Sequence, residues 1–458
     1  MKRVAKVLLV LTILIAIGYW GYKQFNKTSS LTGKIHQNAD SVLKIGVQEI
    51  KETLLVDALT SPRHYLNKVS FKGSDDEDKP EQGIDLMPYN MVFYTIPDVK
   101  NALFGTFKIS DSEAFELYVK QELVKKSVTI EDLTNQGYSF AKVDKSKLAL
   151  AWNSEKLVVA FSLELNISQF QKVFKDILKD GKTIEDSNDP LIEALASSSD
   201  HIVYMQEEST ATINFEDGKA VIAGNILTKA PQKFKSKITQ ETLENPSLQL
   251  YFDANFENPE NKKDWIKKLS EVAFFAKNNL NVDEVLNRTN GFFSLGIEGK
   301  TIQTDTIITY GYDDNFEKVE QRSLQKKQVP KIQLNLGAEN ESLKDYLVSK
   351  NAVNKSGIFE PFPLYQIYVK DNSVNTVFDT FEGVIPTQEK STNTFFGAQV
   401  NFQKLKQDLT LPSVVNYIEN LNELKLSASQ KEGNRITLNG ELTATNSDVN
   451  ILSQIAPQ

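Results

Sequence analysis

The residues that could do chemistry in this chain are few, and each stands without its usual companions. Gly-Lys-Thr occurs twice, at Gly181-Lys182-Thr183 and Gly299-Lys300-Thr301. A phosphate-binding loop needs a further glycine five positions before each of these, so that backbone amides can curl around the phosphates. Those positions hold Asp176 and Ser294, so the two motifs read as a helix stop and a strand turn. Ser-x-x-Lys also occurs twice, as Ser41/Lys44 and Ser323/Lys326. A serine acyl-enzyme places its lysine one helical turn from the serine, beside further Ser and Lys motifs. Those partners are missing, and Ser41 opens an apparent strand, where a spacing of three puts the two side chains on opposite faces.

The three histidines, His36, His64 and His201, show no i, i+4 pair, so no helix presents a two-histidine metal face. His64 and His201 are the two that could serve as a general base. The acidic run Asp75-Asp76-Glu77-Asp78 offers hard oxygen ligands, but a calcium loop alternates its ligands about a central glycine. Here the acids are contiguous and Lys79-Pro80 follows, so the run reads as a solvated loop, as does the turn Asp313-Asp314-Asn315. With 60 Asp and Glu, no pair can be singled out as a glycosidase-like acid and base. Trp152 and Trp265 could stack on sugars, but their strand and helix positions point to core packing. No catalytic residue is assigned, and the motifs call for no cofactor and no metal. The chain has no Cys, which excludes disulfides, thiolate metal sites, thiol nucleophiles and lipidation at a cysteine.

Composition bounds the partners. A net charge of −8 argues against nucleic acid, which needs a basic footprint. The basic residues are almost all Lys, with Arg at only Arg3, Arg63, Arg288, Arg322 and Arg435, which limits bidentate grip on phosphates.

The elements that must carry these residues begin with a membrane segment. Lys2, Arg3 and Lys6 precede Val7–Tyr22, 16 residues without a charge, and Lys23 closes the run. As a helix it spans about 24 Å, slightly short of a hydrocarbon core of about 30 Å, and the flanking lysines can snorkel to make up the difference. Tyr19, Trp20 and Tyr22 form an interfacial belt at one end. The rival reading is a signal peptide cleaved near Ala16-x-Gly18. The expectation is an anchor over 1–23 with membrane contact through residues 7–22, and a body outside the cytoplasm.

Residues 24–37 are polar and read as a tether. A first α+β domain is expected over 38–230, a linker over 231–246, where Lys and Pro accumulate, and a second α+β domain over 247–458. Leu43, Ile45 and Val47 alternate as a strand, and Ile50, Leu54, Ala58 and Leu59 recur as a helix ended by Ser61-Pro62. Ser110 with Glu113 reads as a capping box, and Phe170, Val173, Phe174, Ile177 and Leu178 predict a helix stopped by Gly181. Leu148–Trp152 and Leu157–Phe161 predict a hairpin, and Asp217-Gly218 a tight turn. In the second half, Leu248, Leu250 and Phe252 alternate; one helix carries Trp265, Ile266, Leu269, Val272, Ala273 and Ala276. Phe293–Ile297 and Thr306–Tyr312 look like a strand pair, and Leu424–Ser429 with Arg435–Ala444 like a last hairpin. Strands and hairpins with interspersed helices fit α+β architecture with mixed or antiparallel sheets. The recurrence of strand–helix units points to two similar domains.

Four stretches carry a resemblance: Ala39-Asp40-Ser41-Val42, Leu55-Val56-Asp57-Ala58-Leu59-Thr60-Ser61-Pro62, Asp189-Pro190-Leu191-Ile192-Glu193-Ala194-Leu195 and Asn450-Ile451-Leu452. Over residues 38–455 the chain resembles uncharacterised membrane-anchored or lipoprotein-like envelope proteins of Bacteroidota, families of unknown function. The resemblance implies an envelope location and supplies no mechanism. The function expected is a non-catalytic binding or scaffolding component of the cell envelope with an envelope protein partner. The alternatives are a hydrolase using carboxylate chemistry and a periplasmic carrier with an apolar groove.

Overall fold

The computed structural model describes residues 23–455, apart from 69–81, 85–87, 126–129, 134–136, 144–146, 163–166, 229–233, 235–236, 242, 313–315, 373, 384–386, 392–393, 410–417 and 432. The run Val7–Tyr22, the acidic cluster Asp75–Asp78 and the turn Asp313–Asn315 lie outside the described residues. Among the described residues, no helix is long and apolar enough to cross a membrane. The fold is mixed α+β, its strand pairings antiparallel. Two compact units divide at Glu216/Asp217. The boundary therefore falls at the Asp217-Gly218 turn and not in 231–246, part of which forms a strand, Lys237–Glu241, with Leu243 buried behind it.

The first unit opens with a helix, α1 (23–29). The segment 24–37 is no tether: Leu31 and Ile35 are fully buried in the core. The polar Thr28-Ser29-Ser30 disguises an apolar i, i+4 pair. Then come β1 (Ser41–Ile45), α2 (Val47–Thr60), α3 (Pro62–Lys68), β2 (Met91–Ile96), β3 (Val99–Lys108), α4 (Ser112–Lys125), β4 (Ile130–Leu133), β5 (Tyr138–Val143), β6 (Leu148–Trp152), β7 (Lys156–Ser162), α5 (Ile167–Leu178), α6 (Pro190–Ser197), β8 (Ile202–Gln206) and β9 (Ser209–Glu216). Their pairings give the order β4-β5-β6-β7-β3-β2-β1-β8-β9. Alternation along the strands divides the apolar residues between two faces. Phe104, Phe140, Ala151, Val158 and Ala160 meet Phe170, Phe174 and Ile177 of α5 and Ile192 and Leu195 of α6. Trp152, Leu157 and Val159 point the other way and meet Phe115 and Val119 of α4. The α4 cap differs from expectation. Asp111 accepts from the Ala114 amide at 3.0 Å, while the Ser110 hydroxyl donates to Gly83 O.

The second unit contains β10 (Lys219–Leu227), β11 (Lys237–Glu241), β12 (Leu248–Asp253), α7 (Pro259–Ser270), α8 (Ala273–Lys277), α9 (Val282–Asn287), β13 (Thr289–Tyr312), β14 (Lys318–Ala338), α10 (Leu343–Ser349), β15 (Tyr368–Asp371), β16 (Asn375–Asp379), β17 (Thr387–Ser391), β18 (Thr394–Asn401), α11 (Phe402–Asp408), β19 (Leu421–Gln430) and β20 (Arg435–Ala444). The sheet order is β10-β20-β19-β18-β12-β13-β14-β16-β15, with β11 and β17 paired separately. The helix expected through Trp265 and Ala276 breaks at Glu271-Val272 into α7 and α8.

Phe293–Ile297 and Thr306–Tyr312 are not partners but two stretches of the single strand β13, whose mate is β14. The intervening Gly299, at φ +61°, sits in a bulge between Ile297 and Lys300, where the register shifts and the strand carries on. Beyond it the two strands run on as an arm. Residues 318–328 are exposed, and Ile302, Ile308, Tyr310 and Leu324 stand on one face of the ribbon, 62%, 48%, 61% and 76% exposed.

Candidate functional site

The residues singled out for catalysis do not assemble. Ser41 bonds Thr95 through its hydroxyl at 2.6 Å. Lys44, three residues on and 1% exposed, donates to Leu195 O at 2.9 Å and Ser198 O at 2.8 Å, the carbonyls that end α6. Burial lowers the Lys44 pKa from its ordinary value, with neighbouring Glu49 opposing. Ser323 and Lys326 lie on exposed β14, where a spacing of three separates their faces.

Gly181, at φ +64°, stops α5, and Lys182 reaches back to Asp176 at 2.7 Å. That is a helix terminus and not a phosphate cradle. Asp189, from a stretch that carries the resemblance, caps α6 by accepting from Leu191 N, with Pro190 in the first turn.

Two of the histidines are held by hydrogen bonds within the first unit. His201 Nδ1 accepts from the Phe215 amide at 2.8 Å, and Nε2 lies 2.8 Å from Thr53 Oγ1. With Nδ1 accepting, the neutral ring carries its proton on Nε2 and donates to Thr53. It therefore cannot take a proton from that hydroxyl. Burial lowers its pKa, against the pull of Glu49 and Asp200. His36, 2% exposed, accepts from Asn38 N at 3.0 Å and places Nε2 3.5 Å from Asp176; burial lowers its pKa too. His64 sits edge-on to Tyr65 with ring centroids 5.4 Å apart. Nearby, Lys27 and Glu49 form a buried ion pair at 2.9 Å. Among the described residues, no group of three His, Asp or Glu could hold a metal ion.

The second unit assembles an apolar groove. Register aligns Phe396 of β18, Phe252 of β12, Phe293 of β13 and Leu336 of β14 in one row across four strands. This row is the floor of a groove. Trp265 and Leu269 of α7, Phe275 of α8 and Val285 and Leu286 of α9 form its roof, enclosing a cavity of about 580 Å³, within the size range of small-molecule sites. Thr289 supplies the one side-chain hydroxyl of the lining, already spent on Leu286 O at 3.2 Å. Phe252 approaches Trp265 at 6.0 Å between ring centroids and Phe396 at 6.5 Å. These rings are only half-buried, and α7 has no fully buried residue. The roof helix spans space where a packed core would fill it. Gly291, at φ +86°, lets the chain turn under Phe256, whose ring leaves no room for a Cβ.

The reverse face of the same strands carries buried polar groups. Ser294 accepts from Asn335 Nδ2 at 3.0 Å, and Gln333 and Asp379 are buried at 1% exposure. Two cations lie beside lining rings: Lys262 is 5.9 Å from the Phe256 ring centroid and Lys268 5.9 Å from that of Trp265. Trp265, expected in the core, lines the groove; Trp152 does lie in the core, against Phe115 at 6.0 Å. Sequence reasoning offered an apolar groove among its alternatives but not the residues that form it, because its floor comes from strands far apart in the chain. The one local signal was the density of Phe at 252, 256, 274, 275, 292 and 293.

No protein-family model, curated protein or solved structure matches the chain.

Proposed function

We propose that this chain is a membrane-tethered carrier whose second unit holds an apolar chain in the groove beneath α7–α9. The observation that carries the reading is the aromatic row Phe396–Phe252–Phe293–Leu336 facing an open cavity whose described lining is apolar but for the Thr289 hydroxyl and the Trp265 indole N–H. Apolar surface left facing a cavity gains about 25 cal/mol per Å² when a ligand covers it. The lysines beside Phe256 and Trp265 suit an acidic head on such a chain, as in a fatty acid or anionic lipid. Val7–Tyr22 as an anchor, with the body outside the cytoplasm, would hold the carrier beside a lipid source. The resemblance to envelope proteins agrees with that location.

We further infer that the units are diverged copies of one layout. Seven strands share an order: β9-β8-β1-β2-β3-β7-β6 in the first unit and β19-β18-β12-β13-β14-β16-β15 in the second. In both, helices follow the first central strand, and a further helix follows the central hairpin.

The scaffolding reading keeps one observation in its favour, the exposed arm of β13 and β14, whose apolar face suits a protein partner.

The carrier reading is tested with an acyl-chain fluorophore that accepts energy from tryptophan. In a Trp20→Phe background, saturable transfer that persists in Trp152→Phe and disappears in Trp265→Phe is the expected result. A linear, non-saturable response would overturn the reading.

A further inference from the structure

We infer that α2 lies in the membrane interface, its stripe Leu55, Val56 and Leu59 seated among lipid headgroups. The inference rests on the reading of Val7–Tyr22 as a membrane segment. These three side chains share one face of α2 with Glu52, at spacings of three, four and seven. They are 62%, 61% and 74% exposed, a contiguous apolar stripe where a solvated helix face would be polar.

Chain continuity identifies what covers it. The apolar run ends at Tyr22, and Lys23, the next residue, is bonded to Glu52 at 2.5 Å. Leu55 and Val56 lie about one helical turn beyond Glu52, and Leu59 lies about 10 Å along the axis at about 1.5 Å per residue. The headgroup zone on each side of a bilayer is roughly 5–8 Å deep. With Lys23 at the hydrocarbon boundary and α2 lying near the plane of the bilayer, the stripe falls within that zone.

The charges on α2 agree with this placement. Glu49 and Glu52 are paired with Lys27 and Lys23, and Asp57 is buried and accepts from the Tyr65 hydroxyl. The cations Lys51 and Arg63, before and after the stripe in the chain, are exposed, and lipid phosphates suit them. The bond from Lys23 to Glu52 then fixes the body against the bilayer, instead of leaving it to swing on its anchor.

The absence of Cys permits a clean test. The full chain carrying Leu59→Cys, or Glu208→Cys in the β8–β9 turn as an aqueous reference, is labelled with an environment-sensitive dye. Each is reconstituted in vesicles of phosphatidylcholine and phosphatidylglycerol. The expected result is flotation with the vesicles, blue-shifted emission at position 59 and not at 208, and quenching at 59 by nitroxide lipids. Flotation with identical, aqueous emission at both positions overturns the α2 placement and leaves the anchor standing. A chain that does not float overturns the anchor and the placement together. A blue shift at 59 that nitroxide lipids fail to quench, and that vanishes when the protein is diluted in the membrane, assigns the stripe to a second copy of this chain and also overturns the proposal.

Discussion

The two units use one strand order and opposite faces. In the first, the strands β1, β2, β3 and β7 turn their main apolar face, with Tyr94, Phe104 and Ala160, toward α5 and α6. In the second, the equivalent strands turn Phe252, Phe293 and Leu336 toward α7–α10, and the reverse face holds Ser294, Asn335, Gln333 and Asp379. The topological difference is an insertion. Between β7 and β8 the first unit carries α5 and α6, whereas the short path from β16 to β18 carries, among its described residues, only β17. A sheet buries the face for which it has a cover. With α5 and α6 the first unit closes a packed core. Without them the second keeps its apolar face under three short helices that leave a cavity. The lesson is that a shared layout fixes where strands lie, while the inserted helices decide which face becomes interior and whether space remains.

That contrast can be broken by substitution, and each unit has its own reporter, Trp152 or Trp265. Phe174 is fully buried and touches Phe104, Phe140 and Phe170 with ring centroids 5.9–6.5 Å away. Phe174→Ala should cost about 3–5 kcal/mol in the urea transition followed by Trp152. Phe293→Ala, at the half-empty groove, should cost about 1 kcal/mol or less in the Trp265 transition, because its ring already faces a cavity. Equal losses would mean that the groove is packed as tightly as the core.

Lys44→Met tests the polar seal of the first unit. It leaves Leu195 O and Ser198 O without their donor, which should cost about 1–3 kcal/mol by the same Trp152 measurement. The methionine does remove a buried charge, so an unchanged transition would show that relief of desolvation balances the lost bonds.

Acid should separate the units more gently. All three histidines lie in the first, and burial holds the folded pKa of His36 and His201 below the ordinary 6.5. Between that lowered value and about 6.5 the unfolded chain binds more protons, so stability rises with pH across this window. It is complete above about 6.5 and falls as the pH drops below it. From pH 7.5 to 5.5 the Trp152 transition should move to lower urea while the Trp265 transition holds its position. A larger shift for Trp265 would contradict the assignment.

Local signals in the sequence located much of the scaffold. The spacing of Phe170, Phe174 and Ile177 with Gly181 after them marks α5, and the alternation on either side of Asn153 marks the β6–β7 hairpin. The failures share a physical cause. Leu31 and Ile35 sit among Ser, Thr and Gly, so composition hid their burial. Gly299-Lys300 reads as a turn but is a bulge, because the partner strand β14 continues past it. The floor of the groove depends on the register between β12, β13, β14 and β18, and no local pattern encodes which residues of distant strands will stand side by side.

The central claim, that the second unit keeps an open apolar groove for a chain-like ligand, is tested most directly by filling it. Leu269→Trp, on the roof helix, places an indole ring in the cavity. The acyl-chain fluorophore should bind the variant at least about tenfold more weakly, a loss of about 1.4 kcal/mol, with the unfolding temperature unchanged or raised because the ring gains contacts in empty space. Affinity equal to that of the parent chain, in a variant that folds normally, would contradict the account.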